Sequence, residues 1–132
     1  MQPDKFTNAL RDALSEAQSY AVGHDHQMVE PLHVLHALLS SANGVTTQIV
    51  RLAGGDPKRL SKLTEDALMR LPQVEGAPGE VHLSNDLAKV VNVCDKLAQQ
   101  RGDQYISSEL FLLALFGNNS EEINLPTHSG ML

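Results

Sequence analysis

Residues 6–39 align with residues 83–116 without a gap, so the chain carries one pattern twice at an offset of 77 positions. Seven of the 34 aligned pairs are identical, including Leu10 with Leu87 and Leu35 with Leu112. In both copies the apolar residues recur at the i, i+3, i+4 and i+7 spacing of an amphipathic α-helix. The breaks between the helices also fall at matching positions. Together these features indicate a duplicated helical unit.

Local signals predict six helices, most of which begin at a residue suited to a cap or a first turn. No segment alternates apolar and polar residues over a useful length, so the predicted fold class is all-α. The predicted helices are a first capped by Asp4, a second opened by Pro31, a third over 45–52, a fourth opened by Asp56 and Pro57, a fifth between Ser84 and Gly102, and a sixth opened by Ser107 or Ser108.

The predicted organisation is a tandem repeat of a four-helix unit in which the second unit is incomplete. "PQVEGAPGEVHL" (72–83) contains two prolines and two glycines, which are typical of a linker. We assign residues 1–71 to the first repeat, 72–82 to the linker, 83–116 to a partial second repeat and 117–132 to an irregular tail.

The tail shows no helical period, and the residue that would align with Ile49 is Pro126, which is not a core residue type. The second unit is therefore expected to lack its third and fourth helices. The fifth and sixth helices would then leave apolar faces uncovered. We expect a loose second repeat and self-association through it.

The composition limits the classes of molecule that this chain is expected to bind. The net charge is −6 and no stripe of lysine and arginine is present, which argues against nucleic acid and anionic membrane as partners. The single Cys94 cannot form an internal disulfide, and the N-terminus lacks the pattern of a secretory signal. A cytoplasmic location is the expectation that follows.

Four histidines occur within thirteen residues, in the stretch "HDHQMVEPLHVLHALL". A metal site would need several of these imidazoles to converge on one point. His33 and His36 align with Leu110 and Leu113 of the second copy, which favours packing or capping over metal binding, catalysis or a pH-sensing role. We also interpret Cys94, which aligns with Ala17, as a buried small residue rather than a nucleophile. No catalytic residue, metal or cofactor is predicted.

Three stretches resemble the N-terminal repeat domain of the Clp family, in its ClpB disaggregase branch. They are "HDHQMVEPLHVLHALL", "ALMRLPQVEGAPGEVHLS" and "NVCDKLAQQRGDQYISSELFLLAL", and the similarity extends over residues 1 to about 116. Members of this family contain two four-helix repeats joined by a linker. The resemblance therefore implies the same fold that the internal repeat predicts.

The resemblance also implies a function. Such domains sit at the entrance of a hexameric AAA+ ring, where they bind unfolded or aggregated polypeptide for disaggregation under stress. The family's binding surface is an apolar groove flanked by polar residues. Carried over to matching positions, it implies the polar contacts Thr7, Asp103 and Glu109 and the groove residues Val91, Val93 and Leu110. Each also has a structural alternative, namely a helix terminus, a loop turn or core packing.

Two other functions remain open at this point. The same fold could dock a folded adaptor protein for a Clp protease ATPase. A more remote alternative is a metalloenzyme built on the histidine cluster. No ATPase module follows the repeats in this sequence, so the chain itself is not expected to be an enzyme.

Overall fold

The computed structural model describes residues 5–41, 44–74 and 81–118. Within these ranges the protein is mostly helical, with two very short strands and a π-helical turn that continues the last helix. The elements are α1 (Asn8–Gly23), β1 (Met28–Val29), α2 (Pro31–Leu39), α3 (Val45–Leu52), α4 (Pro57–Met69), β2 (His82–Leu83), α5 (Asn85–Arg101), α6 (Ser108–Leu113) and the turn Ala114–Asn118. The predicted helical class is confirmed.

The helix starts follow from side-chain caps. The Thr7 hydroxyl accepts a hydrogen bond from the Leu10 amide at 3.3 Å, so Thr7, and not Asp4, caps α1. Asp4 lies outside the described residues. Ser84 caps α5 as predicted, since its hydroxyl accepts from the Leu87 amide at 3.0 Å. These caps satisfy backbone N–H groups that have no partner within the helix.

The two strands were not predicted from the sequence. β1 and β2 pair in parallel, which brings His82 of the predicted linker into a strand. Each strand has only two residues, and alternation cannot be recognised over so short a span. The domain boundaries assigned above stay a prediction, and residues 119–132 of the tail lie outside the described ranges.

The two backbone pairings between the copies are related by the same 77-residue offset as the sequence repeat. Val29 lies opposite Leu83, and the equivalent pair, Ile106 and Phe6, forms a parallel bridge. The segment that leads into the first helix of each copy therefore pairs with the segment that leads into the second helix of the other copy. The two copies are thus joined by two parallel backbone pairings.

The core lies between helices that pack in pairs. α1 and α4 pack on α2, whereas α3 and α5 pack on α6. α1 presents small side chains to the core, and Ala17 and Ala21 are fully buried. Because these side chains are small, α1 can lie close to α2. The α3–α6 contact places a helix that precedes the linker against one that follows it.

Backbone conformation at Gly102 supports one stability prediction. Gly102 has φ +73°, and a Cβ atom added there would meet nothing within 4 Å, so Gly102→Ala adds only the penalty of a left-handed conformation. We expect the free energy of unfolding to fall by about 1 kcal/mol. Gly23→Ala is the matched control, because Gly23 ends a helix, has open space and lacks a positive φ. Urea denaturation should show unchanged or higher stability for the control, and equal effects would contradict this account.

Candidate functional site

A groove of about 790 Å³ lies between α3 and α6. We call it the α3–α6 groove; its walls come from α3, the loop 101–107, α6 and the π-helical turn. α3 and α6 are in contact, and the groove is lined by residues from both helices. Its volume is within the usual range for ligand pockets.

The floor of the groove is apolar and well packed. Val50 of α3 and Leu110 and Leu112 of α6 are buried, so they shape the floor without offering much free surface. The walls are more open, because Ile49 and Phe116 are only partly buried. A ligand's apolar groups would therefore contact mainly the walls and the rim.

The rim carries two exposed apolar side chains and several charges. Tyr105 is 54% exposed and Leu113 is 43% exposed. The side chain of Arg101 lies 3.5 Å from the carboxylate of Asp103, and both are solvent-exposed, so the ion pair contributes little stability. Glu109, also exposed, forms no ion pair within the described ranges. The rim thus offers one carboxylate paired within the chain and one available to a ligand.

Three of the six residues that the resemblance implied meet in this groove. Asp103 and Glu109 lie on its rim. Leu110 lines the floor but is only 3% exposed, since α3 and α5 pack on α6. Leu110 therefore offers little exposed apolar surface, and its burial agrees with core packing, the structural alternative given for it.

The other three lie outside the groove lining. Thr7 is half-buried and caps α1, and its backbone N–H also donates to the carbonyl of Ile106 at 3.0 Å. Val91 and Val93 are on α5, where both are partly buried against the core. Thr7 therefore has a structural role, whereas Val91 and Val93 remain partly exposed to solvent.

The sequence alone did not indicate that α3 and the outer rim contribute to the groove. Ile49 lies on α3 and Ala53, four residues later, is the C-cap of that helix, whereas Leu113 lies one turn beyond Leu110 on α6. The i, i+4 spacing on α3 could have indicated a second apolar wall. Only the tertiary contact of α3 with α6 shows that the walls face each other.

The histidine cluster adopts a structural arrangement. His33 is 1% exposed and its Nδ1 accepts a hydrogen bond from the Glu30 amide at 2.8 Å, so it caps the start of α2, in agreement with the prediction. No group of three histidine, cysteine, aspartate or glutamate side chains is placed to hold a metal ion in the described part of the chain. Cys94 is buried as predicted, and burial raises the pKa of its thiol to about 12.

None of the helices within residues 5–41, 44–74 and 81–118 combines the length and apolarity that crossing a bilayer requires.

Comparison with known proteins agrees with the architecture. The Clp repeat (R) N-terminal domain family matches residues 5–125. The chaperone protein ClpB of Dichelobacter nodosus is 46% identical over 127 residues, which cover 96% of this chain and 15% of that protein. ClpB of Pseudomonas putida is 44% identical over 121 residues, which cover 92% of this chain and 14% of the relative. The chain thus spans about 15% of the length of these relatives.

Solved structures share the fold at lower identity. The N-terminal domain of the ClpV1 ATPase from the E. coli EAEC Sci1 type VI secretion system superimposes with a TM-score of 0.85 at 21% identity, covering 96% of this chain and 78% of that one. The Hsp104 N-terminal domain from Candida albicans gives 0.79 at 23% identity, covering 89% and 77%. With its duplicated helices and this family match, the chain belongs to the Clp repeat (R) N-terminal domain family.

Proposed function

We propose that this domain binds unfolded or aggregated polypeptide for a ClpB-type AAA+ chaperone, and that it catalyses no reaction itself. The observation that carries the proposal is the α3–α6 groove, an apolar cleft with a charged rim. Exposed apolar surface bordered by polar groups is typical of interaction sites. An unfolded segment is a suitable ligand because its apolar side chains are not buried in a core of its own.

The setting of the domain is part of the same proposal. In a full-length relative it would lie at the entrance of the AAA+ ring in the cytoplasm, where bound segments could be passed to the pore under stress. The match to the N-terminal repeat family and to proteins named as ClpB chaperones supports this setting. Ring assembly and ATP hydrolysis would come from the rest of such a protein.

The groove suggests which segments bind best. Its exposed apolar rim, Tyr105 and Leu113, would contact aliphatic or aromatic side chains. Glu109 would attract a lysine or arginine next to them, whereas Asp103 is already paired with Arg101. We therefore propose apolar segments flanked by a basic residue as the preferred ligands. Salt should weaken the basic contribution, because exposed charges are screened.

For each of the six residues that the resemblance implied, we propose a contact with the bound polypeptide segment. Asp103 and Glu109 would contact the segment at the rim, and Leu110 would support it from the floor. Thr7, Val91 and Val93 lie outside the groove lining, so they would contact only a segment long enough to continue beyond it.

Leu113→Glu tests the proposal at its rim. Leu113 is 43% exposed, so a charge there remains hydrated and the fold should keep its stability. Leu110→Glu would be a poorer test, because it buries a charge. We expect Leu113→Glu to weaken binding of fluorescently labelled, reduced and alkylated lysozyme at least about tenfold, which corresponds to about 1.4 kcal/mol. Fluorescence anisotropy measures this affinity.

Met69→Glu is the matched control, since Met69 is 72% exposed and is not part of the groove lining. Its affinity should equal that of the wild type. Equal weakening in both variants, or none in Leu113→Glu, would contradict the assignment of the groove. Recovery of one folded partner, with no binding of the unfolded probe, would favour the adaptor-docking alternative instead.

A further inference from the structure

The connection between α1 and α2 brings four histidine rings around one tyrosine. We call Tyr20, His24, His26, His33 and His36 the histidine corner. The ring of Tyr20 lies 4.0 Å from that of His24, centroid to centroid, and between 5.2 and 6.2 Å from the other three. His26 and His33 are 4% and 1% exposed, so two ionisable rings are held in the core.

The hydrogen bonds in this corner determine where the protons are. The Glu30 amide donates to Nδ1 of His33 at 2.8 Å, so that nitrogen carries no proton and the neutral ring carries its proton on Nε2. Nε2 of His33 lies 2.9 Å from Nδ1 of His26. The His33 ring therefore donates to His26, and Nδ1 of His26 is also unprotonated. Both rings are neutral, each with a fixed tautomer.

We infer that the two hydrogen bonds of His33, one from the Glu30 amide and one to His26, form a proton-sensitive latch that holds the α1–α2 connection closed only while both rings are neutral. A proton added to Nδ1 of His33 would face the Glu30 N–H, and one added to Nδ1 of His26 would face the His33 N–H. In either case two donors oppose each other. Neither ring can therefore gain a proton without breaking a hydrogen bond of the latch.

The surrounding groups oppose protonation on balance. Burial, together with the neighbouring rings of His26, His24 and His36, lowers the pKa of His33 to about 4. Burial and His24 lower the pKa of His26, although the Asp25 carboxylate acts in the opposite direction. The ionisable groups that face the latch from α1, the connection, the α2 cap and α4 are Tyr20, His24, Asp25, Glu30, His36 and, through Tyr20, Glu65.

The latch lies next to the junction of the two copies. His26 lies two residues before β1, which pairs with β2, and the Ser84 amide donates to the Val29 carbonyl at 3.0 Å. The carbonyl of Asp25 also accepts a hydrogen bond from the Val74 amide at 2.9 Å. Opening of the latch would therefore release β1 and loosen the contact between the copies.

The sign of the effect follows from the lowered pKa values. Between about pH 6.5 and pH 4 the unfolded chain binds a proton at His33 that the folded chain does not bind. Stability is thus fully present above pH 6.5 and is lost as the pH falls. The folding equilibrium constant should drop about tenfold per pH unit for each such proton.

Nuclear magnetic resonance tests the tautomers directly. Two-bond ¹H–¹⁵N correlations at pH 7.5 should show His33 protonated on Nε2 and His26 unprotonated on Nδ1, and both should stay neutral when the pH is lowered to 5.5. A His33 ring protonated on Nδ1, or two rings that titrate together with free histidine, would overturn the proposal.

Denaturation experiments test the consequence. The double variant His26→Asn, His33→Gln removes both titrating rings, whereas His82→Gln removes an exposed ring outside the corner. Relative to the double variant, the wild type should lose at least about tenfold in its folding equilibrium constant between pH 5.5 and 4.5. His82→Gln should follow the wild type. If the folding equilibrium constants of the wild type and the double variant depend on pH in the same way, the proposal is overturned. If the double variant does not fold, the measurement of the histidine tautomers decides.

Discussion

Phe111→Ala is expected to lower the free energy of unfolding by about 3–5 kcal/mol, because it removes most of a large side chain from the core. Phe111 is 1% exposed on α6, where α3 and α5 both pack. It aligns with Val34 of the first copy, which is fully buried as well. Neighbouring buried side chains would have to move to fill the space, so we expect little of the cavity to close.

Urea denaturation followed by circular dichroism measures this loss. Tyr105→Ala removes another aromatic ring, but Tyr105 is 54% exposed and leaves no cavity. We expect the control to change stability by less than about 0.5 kcal/mol. Equal losses in the two variants would mean that α6 does not pack as described.

Leu68→Ala is the second substitution with a large expected effect. Leu68 is fully buried on α4, which packs on α2. Replacement of a buried leucine by alanine loses its transfer free energy and leaves a cavity, so we expect a loss of about 2–5 kcal/mol. Chemical denaturation at pH 7.5 avoids the range in which His26 and His33 would titrate.

The adjacent Met69 provides the matched control. It is 72% exposed, so Met69→Ala removes a side chain from the same helix without opening the core. The difference between the two variants isolates the α4–α2 contact from any change in helix propensity. A loss below about 1 kcal/mol for Leu68→Ala would contradict the docking of α4 on α2.

The helices could be predicted because their signals are local. Apolar spacing, the Asp56 and Ser84 caps and the left-handed Gly102 all act within a few residues, and the structure has them where they were predicted. The start of α1 was misassigned to Asp4 because Asp4 and Thr7 are both good capping residues. Only the backbone shows that Thr7 accepts the hydrogen bond from Leu10.

The strands and the contact of α3 with α6 could not be predicted from the sequence, because they depend on non-local contacts. Nothing in the residues around Val29 indicates that Leu83 will lie opposite. Leu110 was expected in an open groove, but α3 and α5 cover most of it. The histidines show the same limit: alignment with leucines predicted that His33 packs, yet its bond to His26 depends on how the preceding turn folds.

The pairing of Phe6 with Ile106 has a consequence for synthesis on the ribosome. The two residues are about one hundred positions apart, so Phe6 leaves the exit tunnel long before its partner has been translated. Val29 likewise leaves the tunnel before Leu83, its pairing partner, has been translated. Long-range pairings form late, because closing so large a loop costs entropy before any contact forms. During that interval Phe6 and Val29, which are buried in the folded domain, lack the later segments with which they pair.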